Sequence, residues 1–120
     1  MNSKIINLLK GIVPTYYQET TQSPDKYCVF SYYDEQDSMF YDDMNLSETY
    51  YITINYWYKN PSDMIVYKQI KNILKSNGFI FDGSSDVKDG EYRGKNMDFI
   101  YEEVFFICLY TIISLGFLYQ

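Results

Sequence analysis

The sequence predicts an α+β fold, a mainly antiparallel β-sheet with two α-helices packed on one face. Apolar residues recur at helical spacing in two segments, near residues 3–13 and 61–76. Four further segments are rich in β-branched and aromatic residues, which is the composition of strands. The order along the chain is helix, two strands, helix, two strands. That order favours helices grouped on one side of an antiparallel sheet.

Chain length predicts the number of domains, and net charge excludes some classes of function. A chain of 120 residues buries one hydrophobic core, so residues 1–120 are predicted to form a single domain. The net charge of −6 argues against binding to phosphate backbones, because that binding depends on clustered Lys and Arg. The sequence has no basic amphipathic helix either. We therefore expect neither sequence-specific nucleic-acid binding nor membrane binding.

The first helix is predicted close to the N-terminus. Its apolar residues are Ile5, Ile6, Leu8, Leu9, Ile12 and Val13. Ser3 is available as an N-terminal cap, and Gly11 and Pro14 close the segment. Residues 15–25 hold Thr, Gln, Ser and Pro, and they are predicted to form a loop.

A long hairpin follows, with its antiparallel strands predicted at residues 27–33 and 47–58. The connection between them, residues 34–45, holds five acids and no base. These acids are Asp34, Glu35, Asp37, Asp42 and Asp43. Two interpretations of this loop stay open. It is either a solvated hairpin tip or a segment exposed toward an acidic conduit or a neighbouring subunit.

The second strand of the hairpin has two different rows of side chains. One row is apolar and aromatic, and consists of Tyr50, Ile52, Ile54, Tyr56 and Tyr58. The other mixes polar and large amphipathic groups, and consists of Tyr51, Thr53, Asn55 and Trp57. Mixed surfaces of this kind often contact another protein. Tyr51, Trp57 and Tyr58 are the interface candidates, against the alternative that they only pack under a helix.

Local sequence signals predict where the second helix begins and ends. Asn60 is suited to cap it, Pro61 to occupy its first turn, and Asp63 to complement the helix dipole. The residues predicted to face the sheet are Met64, Ile65, Tyr67, Ile70, Ile73 and Leu74. Asn77 followed by Gly78 supplies the left-handed stop.

The C-terminal third is predicted to contain two strands joined by a long loop. Residues 79–81 form the first strand, residues 82–98 a polar connection bearing glycines, and residues 98–109 the last strand. The run from residue 104 to 119 has no charge, yet it is shorter than the roughly 20 residues of a membrane-spanning helix. We interpret it as a buried strand and its continuation.

The residues of familiar active sites are missing from the sequence. It contains no histidine, which is the commonest general base and metal ligand. Cys28 and Cys108 lie in hydrophobic runs and are predicted to be buried thiols, with a disulfide between them left open. Residues 82–86 have oxygen-bearing side chains but lack the later glutamate of a calcium loop. We expect a protein without enzymatic activity, metal or cofactor.

The order of these segments resembles the tail terminator proteins, also called tail completion or minor tail proteins, of tailed bacteriophages and phage-like particles. The resemblance covers residues 1–105. It consists of a leading helix, the segment Pro14-Thr15-Tyr16-Tyr17, the strand from Lys26 to Tyr32, the acidic connection, and the strand from Glu48 to Trp57. A helix ending in Asn77-Gly78-Phe79 and the late segment Met97-Asp98-Phe99-Ile100-Tyr101 complete it. The apolar segment 105–120 departs from the family pattern, and its placement is left open.

The resemblance implies a structural protein that forms a ring, usually a hexamer, on the head-proximal end of the tail tube. Its partners would be further copies of itself, the tail tube protein, and a neck or head-completion protein. Its location would be the virion tail or neck, after assembly in the host cytoplasm. The five acids would then face a DNA conduit, where negative walls repel phosphate. The alternatives are another head-tail joining or tube-like component, a tyrosine-rich protein-binding module and, least favoured, a small enzyme.

Overall fold

The computed structural model describes residues 1–41 and 44–104, which form a five-stranded sheet and two helices. The elements are α1 (Asn2–Leu9), β1 (Thr15–Tyr17), β2 (Lys26–Tyr41), β3 (Met44–Tyr58), a 3-10 turn (Pro61–Ile65), α2 (Val66–Ser76), β4 (Ile80–Asp89) and β5 (Tyr92–Val104). The strand order across the sheet is β1-β2-β3-β5-β4. β1 and β2 are parallel, and the other neighbours are antiparallel. The predicted α+β class is confirmed.

Both helices pack on the same face of the sheet, and the hydrophobic core lies between the two layers. From β3 the core takes alternate residues, Ile52 to Tyr58, which are at most 6% exposed. The row between them is only partly buried. The buried residues of the core are Ile5, Leu9, Val13, Cys28, Phe30, Ile52, Ile54, Tyr56, Tyr58, Val66, Ile70, Leu74, Phe79, Met97 and Phe99. The predicted separation of β3 into two unlike rows is therefore confirmed.

The β2–β3 hairpin is longer than predicted, because its acidic connection is mostly strand. β2 continues through residues 34–41, and these residues pair with the first half of β3. A bulge between Tyr32 and Asp34 shifts the register, after which the ladder resumes. The ladder is made by backbone groups, so a regular partner strand can hold a segment whose side chains are acidic. The predicted loop over residues 34–45 is wrong wherever the structure describes it.

A second correction concerns residues 82–98, which were predicted to form a polar connection. They form most of β4 and the beginning of β5, paired antiparallel around a turn at Gly90. β4 is an edge strand and mostly exposed, so it carries polar residues where a central strand would carry apolar ones. Gly83 and Gly90 have φ angles of 112° and 59°. They serve a bulge and a turn in a hairpin rather than a loop.

Two smaller corrections fall near the N-terminus. Ser3 lies inside α1, whose N-cap residue is Met1, and no side chain caps that helix. The predicted loop over residues 15–25 begins instead with β1, which adds to the edge of β2. The Cys28 amide donates to the Pro14 carbonyl at 2.8 Å. The β2 edge thereby gains backbone partners that an open edge would leave to water.

The helix start predicted after β3 is confirmed, with one difference. The Asn60 side chain accepts a hydrogen bond from the Ser62 amide at 3.1 Å, and Pro61 occupies the first turn. That turn is a 3-10 helix, and α2 begins only after it. Met64 and Ile65 were predicted to face the sheet, but they lie in this turn and are 49% and 54% exposed.

Tyr56 fastens the 3-10 turn to the sheet. Its side chain is fully buried in the core, and its hydroxyl donates to the Asp63 carbonyl at 2.7 Å. Burial, followed by the nearby charge of Asp63, raises the pKa of Tyr56 because both favour the neutral phenol. Lys26 reaches the Asp63 carboxylate at 3.5 Å from β2, so this turn is attached to two strands.

We expect Tyr56→Phe to lower the free energy of unfolding by about 1 kcal/mol at neutral pH, since the Asp63 carbonyl loses its donor. The wild type should lose more stability than the variant as the pH rises above about 10. The folded-state pKa of Tyr56 is raised, so its contribution is full below the unfolded pKa and is lost as the unfolded phenol ionises. Urea midpoints at neutral and alkaline pH measure both effects. Equal alkaline losses in the two proteins would contradict the prediction.

The remaining predictions concern the last strand, the two cysteines and the C-terminal segment. The strand predicted at residues 98–109 begins earlier, at Tyr92, and is described as far as Val104. Cys28 is a buried thiol, as expected, and burial raises its pKa. The apolar segment 105–120, with Cys108, lies outside the described residues. Among residues 1–41 and 44–104, no helix has both the length and the apolar character needed to cross a membrane.

Candidate protein-binding face

The sheet has a second face, on the side away from the helices. Within the described part of the chain no helix packs on it, and we call it the open face. Side chains that share this face can be identified from the strand register, because ladder partners point the same way. Its apolar and aromatic members are Tyr16, Tyr27, Val29, Tyr33, Tyr51, Trp57, Ile80, Val87, Tyr92, Ile100 and Val104. The open face is thus rich in large apolar and amphipathic groups.

Trp57 occupies the open face above a glycine of the neighbouring strand. Its ladder partner on β5 is Gly94, and Gly94 in turn pairs with Val87 on β4. A methyl group built on Gly94 would stand 2.7 Å from Cε3 of Trp57 and 2.7 Å from Cγ2 of Val87. The indole therefore fills the space that a side chain at Gly94 would need. Trp57 and Val87, from the strands on either side of β5, together close over Gly94.

We expect Gly94→Ala to displace the Trp57 ring and to lower the free energy of unfolding by about 1 to 3 kcal/mol, because the added methyl group overlaps two neighbours. Trp57 is the single tryptophan of the chain, so its fluorescence spectrum reports the displacement. Gly11→Ala is the matched control, since nothing lies within 4 Å of a methyl group at Gly11. An unchanged emission spectrum in the Gly94 variant would show that the ring does not depend on this glycine.

The centre of the open face is a small polar network. The Asn96 side chain donates from Nδ2 to Oγ1 of Thr53 and to Oδ1 of Asn55, each at 2.8 Å. The three side chains lie on the adjacent strands β3 and β5. Because these side chains are partly bonded to one another, a partner that covers them has fewer polar groups left to pair.

Tyrosines surround this centre in contacting pairs. The rings of Tyr27 and Tyr92 lie 5.5 Å apart, and those of Tyr33 and Tyr51 lie 5.9 Å apart. Burial, followed by the charges of Tyr92 and Asp89, raises the pKa of Tyr27, so its phenol is neutral at ordinary pH. Tyrosine offers a large contact area with few rotatable bonds and a hydroxyl for hydrogen bonding. Clusters of tyrosine of this kind are typical of protein contact surfaces.

The three interface candidates lie on different sides of the sheet. Tyr51 and Trp57 are on the open face, where their side chains are partly buried. Tyr58 belongs to the other row, is 6% exposed, and stacks on Tyr56 with 5.4 Å between ring centroids. For Tyr58, packing under the helices is therefore the observed arrangement. Tyr51 and Trp57 keep their place as contact candidates.

The open-face residues of β2 were not predicted from the sequence. Tyr27, Val29 and Tyr33 alternate with the buried Cys28 and Phe30, so the same period of two was present there. The sequence does not show the strand register, which places this row beside Tyr51 and Trp57. That register depends on hydrogen bonds between strands that are distant in the chain.

The acidic residues singled out from the sequence lie on an extension of the β2–β3 hairpin. We call residues 34–41 and 44–49 the acidic arm. Asp34, Glu35 and Asp37 are exposed on its first strand, whereas Asp42 and Asp43 lie outside the described residues. The arm contains no lysine or arginine in its sequence. Its charge is therefore of one sign.

The arm places like charges directly opposite one another. Asp37 pairs with Glu48 across the β2–β3 ladder, and Glu48 pairs with Glu103 across the β3–β5 ladder. The Tyr50 hydroxyl donates to Oε2 of Glu48 at 2.7 Å. This hydrogen bond, followed by burial and the charge of Glu48, raises the pKa of Tyr50. Like charges opposed across strands are unfavourable, so the row costs the isolated chain some stability.

The described residues form two surfaces of different chemistry. Among residues 1–41 and 44–104 there is no group of three or more metal-ligating side chains. The open face offers apolar area, aromatic rings and a hydrogen-bonded polar centre, and the acidic arm offers a concentrated negative charge. Compared with known proteins, the chain matches no protein-family model and no curated protein.

Proposed function

We propose that this chain is a structural tail assembly protein of the tail terminator kind. In this proposal, copies of the chain form a ring on the head-proximal end of a phage tail tube, end its polymerisation, and present a surface to the neck. The open face carries the proposal. No described helix covers its aromatic side chains, and we assign it to the contact with the tail tube.

Physical features of the open face support an interface with a protein. Interfaces combine aromatic anchors with a few hydrogen-bonded polar groups, as Tyr51, Trp57 and the network around Asn96 do. Exposed apolar patches on soluble proteins mark interaction sites or aggregation hazards. Ile80 is 63% exposed and Tyr33 is 53% exposed on this face, at the two ends of a cross-strand row that passes through Ile100 and Tyr51. Covering them with a partner would remove that hazard.

The net negative charge of the chain is also consistent with a position at the neck. A protein beside a DNA conduit avoids sticking to phosphate when its walls are negative. The acidic arm would either line that conduit or contact the neighbouring subunit. Neutral substitutions at Asp34, Glu35 and Asp37 that left particle assembly and DNA delivery unchanged would remove a role for these acids.

The experiment is reconstitution of the purified chain with tail tubes assembled from the tube protein of the same particle. Light scattering gives the mass of the chain alone, and negative-stain imaging shows where it binds on the tube. We expect rings at one end of each tube and tubes of limited length. A protein that stays monomeric and leaves tube length and tube ends unchanged would overturn the proposal.

Ring position separates this proposal from its closest alternative. Another head-tail joining or tube-like component would also form rings, but it would bind elsewhere or copolymerise along the tube. The same images distinguish the two, because a terminator is found at tube ends only. A chain that bound a partner as a single copy, without rings, would instead be a tyrosine-rich protein-binding module.

A further inference from the structure

The sheet opposes like charges at both of its ends, and the two ends have opposite sign. At the arm end, Asp37, Glu48 and Glu103 stand in one cross-strand row. At the other end, Lys88 on β4 pairs directly with Arg93 on β5. Each row is unfavourable for the isolated chain, and a partner of opposite charge would relieve it.

The basic row borders a cleft between the 3-10 turn and the β4–β5 hairpin. The cleft has a volume of about 330 Å³, and Tyr58 and Met64 are among its apolar walls. Both Lys88 and Arg93 line it and are exposed. An apolar floor beside two cations suits an acidic segment that also carries apolar side chains.

The described acidic residues near this cleft do not form ion pairs with Lys88 or Arg93. Asp86 is engaged by Lys95 at 3.0 Å, and Glu91 by Lys59 at 3.8 Å. Asp89 lies on the open face, where its charge acts on Tyr27. Within the described part of the chain, neither Lys88 nor Arg93 takes part in an ion pair.

The acidic row and the basic row cannot meet within one chain. Glu48 and Tyr58 lie ten residues apart on β3, a separation of about 33 Å along a regular strand. The sheet holds both rows rigidly at this separation. Opposite charges at the two ends of one sheet complement each other when two copies are arranged head to tail.

We propose that the acidic arm of one copy docks in the Lys88–Arg93 cleft of the next copy. The contact is heterologous, since one copy contributes the arm and the other contributes the cleft, and repeated contacts of this type form a ring when the rotation between copies closes. This inference rests on the proposed function, because it supplies the subunit contact of the proposed ring. It leaves the open face of each copy available to the tail tube.

Charge reversal at either surface tests the contact. Lys88→Glu combined with Arg93→Glu reverses the cleft, and Glu35→Lys combined with Asp37→Lys reverses the arm. We expect each double variant to weaken self-association at least about 100-fold, because like charges brought together across an interface repel strongly. Sedimentation over a range of protein concentration measures this loss. Added salt should weaken wild-type association for the same reason.

Mixing the two variants gives the decisive result. The unchanged arm of the first variant fits the unchanged cleft of the second, and their two reversed surfaces also complement each other. We therefore expect a mixture to regain assembly that neither variant shows alone. Lys68→Glu, on the exposed side of α2, is the control for a change of charge away from both surfaces. Circular dichroism and urea midpoints verify that every variant is folded.

The possible outcomes separate this inference from the proposed function. If the wild type forms rings on tube ends and both reversed variants still assemble normally, the arm–cleft contact is wrong and the terminator function stands. If association follows the charge pattern but no tube is bound, the contact stands and the terminator function falls. A mixture that fails to assemble while both variants are folded also overturns the arm–cleft contact.

Discussion

Replacing Phe99 with alanine is expected to lower the free energy of unfolding by about 3 to 5 kcal/mol. Phe99 is completely buried on β5, and its ring meets those of Phe79 at 6.5 Å and Phe81 at 5.6 Å between centroids. Removing it opens a cavity where the sheet, β4 and the end of α2 come together. Small domains are stable by only about 5 to 15 kcal/mol, so this loss is a large part of the total.

Urea or guanidinium titration monitored by circular dichroism measures this change. Phe81→Ala is the matched control, because Phe81 is only partly buried on the edge strand β4 and its truncation should cost less. A Phe99 variant that loses less than about 1 kcal/mol would mean that the site collapses around the cavity or that the two layers are not packed as described. Assembly of subunits into rings should fail in the Phe99 variant at temperatures near its unfolding transition, because the core around Phe99 holds both proposed surfaces in place.

The double replacement Tyr51→Ala and Trp57→Ala is expected to weaken binding to tail tubes by at least about 100-fold, while the protein remains folded. Large aromatic side chains at the centre of an interface usually carry much of its binding free energy. Both residues lie on the open face, beside the polar network that a partner would cover. Cosedimentation with tubes over a range of protein concentration gives the affinity ratio.

Ile65→Ala serves as the control for loss of exposed apolar area. Ile65 is 54% exposed on the 3-10 turn, on the helix side of the sheet, so it should leave tube binding unchanged. Equal affinities of the wild type and the open-face variant would remove the open face from the tube contact. Self-association of the open-face variant should persist, since the proposed arm–cleft contact uses other residues.

The parts of the fold that could be predicted are those with local chemical causes. The entry to α2 was found because an Asn60 cap and a proline in the first turn act within a few residues of the chain. The end of α2 was found because Gly78 adopts a φ of 90°, which other residues avoid. The two rows of β3 were found because side chains alternate in any strand.

The parts that were missed depend on partners far away in the chain. Residues 34–41 are acidic and have the composition of a loop, but β3 offers them a regular ladder. Residues 84–89 are polar except for Val87, and they form a strand because β5 pairs with them. Their other edge is unpaired, which is where polar residues are tolerated. Local propensity is weak compared with such pairing, particularly at edges where one side of the strand meets water.

By itself, the sequence determined the α+β class, the position of α2, and the presence of a strand with one apolar and one mixed row, since each follows from periodicity and capping within a short segment. The tertiary structure decided which residues share the open face, that Tyr58 belongs to the core, and that like charges are opposed at both ends of the sheet. These properties depend on strand register. Register is set by the packing of the whole sheet, where a shift of one residue would exchange the two faces.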